Sequence, residues 1–79
     1  MRMDVPSLAQ KLRMLRARRA FTLRQVEDQT GVDKHTISNA ERGLSVPYDA
    51  TLRRLADVYG VDVSELMEAK LGVPLGRAA

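Results

Sequence analysis

A chain of 79 residues with no cysteine and one histidine can build one small core without disulfides or thiolate-bound metal, which excludes a second domain, the usual zinc sites and thiol nucleophiles. No run approaches the ~18 apolar residues of a membrane span, and the start lacks the apolar stretch of a secretory signal, so a cytoplasmic protein with no membrane partner is expected. The net charge of +3 is uneven: residues 1–44 carry nine Lys or Arg against five acids, a balance of +4, whereas residues 45–79 carry four against five, or −1. A basic half of this kind is either a solvated face or a surface for an anionic partner, and the placement of the charges decides between them.

Aromatic residues make up 4% of the chain and strand-like alternation is missing, while apolar residues recur at helical spacing; the sequence therefore predicts an all-α fold of five helices. The first is expected from Ser7 to Arg19, with Ser7 and Gln10 spaced as a capping box and Leu8, Leu12 and Leu15 on one stripe. Lys11, Arg13, Arg18 and Arg19 fall on its other face, where Arg18 and Arg19 read as solvated. Thr22 with Gln25 is a second capping box, opening a short helix that Gly31 stops. Asp33 is a good N-cap for a third helix reaching Arg42, with Gly43 as its stop. Pro47 keeps residues 44–48 out of helical geometry, and a fourth helix begins at Tyr48 or Asp49 and ends near Gly60, with Leu52, Leu55, Ala56 and Tyr59 as its apolar stripe. Asp62 and Glu65 repeat the capping-box spacing for a last helix through Lys70, which offers Val61, Val63 and Leu66 to the core. The expected organisation is one domain over residues 1–79, with its folded part at about 7–70 and a fraying tail over 72–79.

Two short helices joined at a glycine describe a helix-turn-helix, in which Gly31 allows the left-handed exit that other residues adopt only with strain. With Asp33 set at 0° and about 100° per residue, Ile37 and Ala40 lie near 40° and 340°, while Lys34, His35, Ser38, Asn39 and Arg42 fill the arc from about 100° to 240°. A helix with one small apolar face and one polar, donor-rich face can serve a major groove, where Lys reads guanine acceptors and Asn pairs with adenine. The competing reading is an ordinary amphipathic surface helix. Three expected helix starts, at Thr22, Asp33 and Tyr48 or Asp49, lie close by and favour phosphate, which weakens that competing reading without removing it.

The run LRMLRARRAFTLRQVEDQTGVDKHTISNAERGLSVP from Leu12, followed by TLRRLADVYGVDVSEL, resembles the Xre and Cro type helix-turn-helix family of phage repressors and bacterial regulators over about 55 residues. The resemblance implies a five-helix, phage-repressor-like bundle that binds pseudo-palindromic double-stranded DNA as a homodimer, with the third helix in the major groove and no cofactor. Carried over residue by residue, it places base-edge contacts at Lys34, His35 and Asn39, with Thr36 and Ser38 in support. Phosphate contacts fall at Arg24 and Gln25 and at Arg42, Gly43 and Ser45, and a structural ion pair maps to Arg16 with Glu41. Three positions and one short segment depart from the pattern. Leu23 replaces a phosphate-anchoring glutamine, Glu27 replaces a small alanine and must turn outward or pair with Lys34 or Arg24, Ala40 thins the core, and Leu-Ser-Val after Gly43 lacks the frequent basic residues.

Met67, Leu71, Val73 and Leu75 lie beyond what the core needs; they either close over it or form a twofold interface, the latter being the preferred reading. The expected function is a sequence-specific DNA-binding transcriptional regulator. The alternative is an antitoxin or other interaction module that holds a small protein partner and autoregulates through the same helices. An enzyme is not expected: there is no carboxylate pair, no nucleophile with a base and no phosphate-cradling glycine loop, and His35 has neither a cysteine nor a second histidine with which to hold metal.

Overall fold

A computed structural model describes residues 6–73, and among these it holds five helices: α1 (Leu8–Arg19), α2 (Leu23–Thr30), α3 (Lys34–Glu41), α4 (Asp49–Tyr59) and α5 (Val63–Leu71). Helix α1 packs on α3, α4 and α5, while α2 lies against α3 and α4. The apolar stripes converge as their spacing requires: Leu12, Val26, Ile37, Leu52, Leu55 and Leu66 are fully buried, one or more from every helix. Each such side chain contributes about 1.5–3 kcal/mol relative to exposure. Ala40 is also buried, so the small residue is accommodated inside the cluster, and Pro47 in the α3–α4 loop is buried as well. None of the described helices is long and apolar enough to cross a membrane.

The first two helix starts follow their sequence signals. Ser7 Oγ accepts the Gln10 N–H at 3.1 Å while Gln10 Oε1 accepts the Ser7 N–H at 3.0 Å, and Thr22 with Gln25 repeats the exchange at 3.1 and 2.8 Å. Helix α5 departs from the expected box. The Asp62 carboxylate accepts the Ser64 N–H at 2.8 Å, one residue earlier than a capping box, and Glu65 faces Lys11 on α1 at 3.7 Å. Helix α3 stops at Glu41, with Arg42 as its C-cap, and α1 ends on Ala20 at φ +55°, a left-handed conformation in a residue with a Cβ.

The cationic side of α1 is largely turned to structure. Arg13 donates to the Glu41 carbonyl at the end of α3, Arg16 grips the Glu41 side chain, and Arg19 donates to the Tyr59 carbonyl at the end of α4, 3.2 Å from Nη2. Arg19 makes this contact while remaining exposed, as expected of a solvated cation. A positive group at a helix C-terminus meets unpaired carbonyls and the negative end of the helix dipole, and Arg19 finds both.

Candidate nucleic-acid interface

Two residues of α2 stitch the turn that leads into α3. Gly31 leaves α2 at φ +76°, and its N–H donates to the Glu27 carbonyl at 2.8 Å. The Glu27 carboxylate reaches past the turn, where Oε2 accepts the Lys34 backbone N–H at 2.9 Å. Thr30 Oγ1 donates to the Val26 carbonyl at 2.7 Å and accepts the Val32 N–H at 3.0 Å, and Val32 seals the turn from inside. Glu27 was expected to turn outward or to neutralise a cation; here it binds a backbone amide instead.

The N-cap Asp33 Oδ1 accepts the His35 N–H at 2.8 Å. The first two amides of α3 therefore both end on carboxylates, so two negative groups stand at a helix start that was expected to favour phosphate. At α2, the Gln25 amide is taken by Thr22. Helix α4 begins at Tyr48 without a side-chain cap, and its first-turn acid Asp49 is held by Lys70 at 2.7 Å.

Helix α3 is anchored on one side by Ile37, Ala40 and Glu41, all buried. Lys34, His35, Thr36 and Asn39 lie on its exposed surface, with Ser38 half-buried at the margin. Arg24 and Gln25 are exposed in the first turn of α2, where the Gln25 carbonyl serves the cap and leaves its amide NH2 outward. Arg42, Gly43 and Ser45 are exposed just after α3, and Leu23 is half-buried against the core rather than presented outward. The proposed readers thus share α3, flanked in sequence by the start of α2 and the loop after α3.

Glu41 fixes the far end of α3. Its side chain is 6% exposed and receives two hydrogen bonds from Arg16, Nε to Oε2 at 2.6 Å and Nη2 to Oε1 at 2.8 Å, while Arg16 Nη1 donates to the Phe21 carbonyl at 2.9 Å. Hydrogen bonding to Glu41 raises the Arg16 pKa against the opposing effect of burial. Tyr59 lies in the same neighbourhood; its hydroxyl is buried without a hydrogen-bond partner, and burial together with the Glu41 charge pushes its pKa up to about 12.

Of the apolar residues assigned to an interface, Met67 is half-buried and packs on the core, Leu71 and Val73 are more than half exposed, and Leu75 lies outside the described residues. Leu44 and Val46, noted in the sequence only as standing where basic residues are frequent, are strongly exposed in the α3–α4 loop together with Tyr48. Sequence reasoning missed Arg13 and Arg19, whose spacing with Arg16 at every third residue places all three along one side of α1.

A family profile described as a helix-turn-helix domain matches residues 7–69. Two curated proteins are similar: the HTH-type transcriptional regulator DdrOP3 of Deinococcus deserti, 34% identical over 61 residues, and the cryptic phage CTXphi transcriptional repressor RstR of Vibrio cholerae, 37% identical over 57 residues. The matches cover 77% and 72% of this chain but 47% and 51% of those proteins, so the chain spans about half the length of the curated relatives it matches. A crystal structure of an HTH_3 family transcriptional regulator from Vibrio cholerae superposes with a TM-score of 0.70 at 33% identity, covering 76% of this chain and 34% of that one. The bundle, with its glycine turn and outward polar α3, defines an all-α helix-turn-helix domain. The chain belongs to the helix-turn-helix domain family.

Proposed function

We propose that this chain is a sequence-specific DNA-binding transcriptional regulator that acts as a homodimer, setting α3 of each copy in the major groove of a pseudo-palindromic site. The observation that carries the reading is α3 itself, whose apolar side is locked into the core while Lys34, His35, Thr36 and Asn39 stand on its exposed face. In this reading Lys34, His35 and Asn39 touch base edges with Thr36 and Ser38 in support, and Arg24, Gln25, Arg42, Gly43 and Ser45 hold phosphates. A twofold pair would set its two α3 helices about 34 Å apart, one turn of the duplex. The exposed Leu71 and Val73, with Met67 beside them and Leu75 beyond, are proposed to join the copies.

Selection of bound duplexes from a random pool tests the proposal and should return an inverted repeat. Asn39→Ala should relax the preference at one base position of each half-site, at about 1–3 kcal/mol, whereas Arg42→Ala should weaken binding to all sequences alike. Equal losses from both substitutions on every duplex would contradict the assignment, as would a pool that emerges unenriched.

A further inference from the structure

We infer that Glu27 is a positioning residue for DNA recognition: it fixes the first turn of α3 against α2, so that Lys34 and His35 meet the base edges in one register. The inference rests on the reading of α3 as the helix that enters the groove. The first N–H groups of a helix have no partner inside it and must find one elsewhere. Here the N-cap Asp33 satisfies the His35 amide, and the preceding amide, that of Lys34, is satisfied from another helix by Glu27 Oε2 at 2.9 Å. The same residue binds the other side of the turn, since the Glu27 carbonyl accepts the Gly31 N–H at 2.8 Å. Residues 31–33 are thus spanned by one side chain whose own backbone closes α2, with Thr30 adding a second stitch through Val26 and Val32. A tilt of α3 about its buried anchors Ile37 and Ala40 would move Lys34 and His35 most and would have to stretch the Glu27 bond. Holding that turn before DNA arrives removes part of the ordering that binding would otherwise require.

The carboxylate has a second effect. Together with Asp33 it places two negative charges at the start of α3, complementing the helix dipole but turning phosphate away from those amides. Glu27 therefore lowers affinity for DNA of any sequence while sharpening the choice among sequences, and the two effects separate by substitution. Glu27→Gln keeps a carbonyl that can accept the Lys34 N–H but removes the charge. Glu27→Ala removes both.

The test compares the intact chain and the two variants on the best duplex from the random-pool selection and on a scrambled duplex of the same length, alongside hydrogen exchange at the Lys34 amide. Glu27→Gln should bind both duplexes several-fold more tightly with the preference between them unchanged. Glu27→Ala should tighten binding to the scrambled duplex, reduce the preference about tenfold, and lose it at the bases opposite Lys34 and His35 while keeping it opposite Asn39; its Lys34 amide should exchange at least tenfold faster, with the Ile37 amide unaffected. An unchanged Lys34 exchange rate in Glu27→Ala overturns the inference whatever the DNA results, and so does an unchanged preference, or a Gln variant that loses preference as far as the Ala variant. If the unsubstituted chain prefers no sequence, the proposed function itself fails.

Discussion

At the scale of single residues, the ion pair between Arg16 and Glu41 has the clearest energetic consequence. Glu41 is buried and its oxygens are taken up by a bidentate guanidinium, so removing Arg16 leaves a carboxylate with neither water nor partner. Arg16→Ala should lower stability by roughly 3 kcal/mol, visible as a fall of at least 10 °C or so in the melting midpoint. Glu41→Gln, which keeps acceptor and shape, should lose clearly less; equal losses from the two would mean that a stranded carboxylate is not what makes Arg16→Ala costly. Tyr59 presents the reverse case. Its hydroxyl is buried and unbonded, so Tyr59→Phe should be neutral or stabilising by up to about 1 kcal/mol in a thermal melt. The same hydroxyl gives a pH dependence. Its pKa in the folded chain lies above the ordinary value of 10, near 12, so the folded state holds this proton more tightly than the unfolded chain does. The stability linked to it is whole below pH 10 and is lost as pH rises toward 12, about 3 kcal/mol in all. Denaturant midpoints measured across that interval should drop in the unsubstituted chain, with a shallower drop in Tyr59→Phe.

At the scale of elements, much of this architecture was legible because helix starts are written locally. The boxes at Ser7–Gln10 and Thr22–Gln25 and the cap at Asp33 need only residues two or three positions apart, and spacing alone finds them. What stayed hidden were bonds between helices. The Glu27 carboxylate crosses seven positions to the Lys34 amide, and Arg19 crosses forty to the Tyr59 carbonyl; no periodicity encodes such pairings, so Glu27 read as an outward acid or the partner of the Lys34 or Arg24 cation, and Arg19 as a solvated cation. On the candidate face, the polar arc of α3 followed from its 100° steps, whereas the occupied start of that helix did not. Element ends also offer a direct test. Ala20 closes α1 at φ +55°, a conformation that disfavours any Cβ. Ala20→Gly should raise stability by up to about 1 kcal/mol in chemical denaturation, the relief of strain outweighing the freer unfolded chain. A destabilised variant would show that Ala20 is not strained.

At the scale of the whole molecule, the charge imbalance between the halves divides by use. Lys11, Arg13, Arg16 and Arg19 are committed to Glu65, Glu41 and the Tyr59 carbonyl, so α1 serves mainly as a clamp that holds α3, α4 and α5 in place. Arg24, Lys34 and Arg42 remain exposed around the helix-turn-helix. In the proposed reading Arg24 and Arg42 of each copy of a pair would neutralise about four phosphates, which sets the slope of log affinity against log salt near −4. A titration across salt concentrations should give that value, and Arg24→Ala and Arg42→Ala should each flatten it by about 2, one phosphate from each copy. Substituting Lys11 should leave the slope where it is, since its ammonium already faces Glu65. A slope near zero would remove phosphate neutralisation from the account altogether.

The way α3 is fastened has a consequence for how such a domain could change its target. Three of its eight residues, Ile37, Ala40 and Glu41, hold it to the body, and its first turn is held through the main-chain amides of positions 34 and 35 rather than through their side chains. If α3 is the reading helix, as proposed, a new side chain at 34, 35, 36 or 39 would change what is read without loosening the helix. One residue is barred. Proline is ordinarily welcome in the first position of a helix, because the N–H it lacks has no partner there; at position 34 that N–H has one, so proline there would free the first turn of α3 from Glu27 while Ile37, Ala40 and Glu41 keep the helix seated.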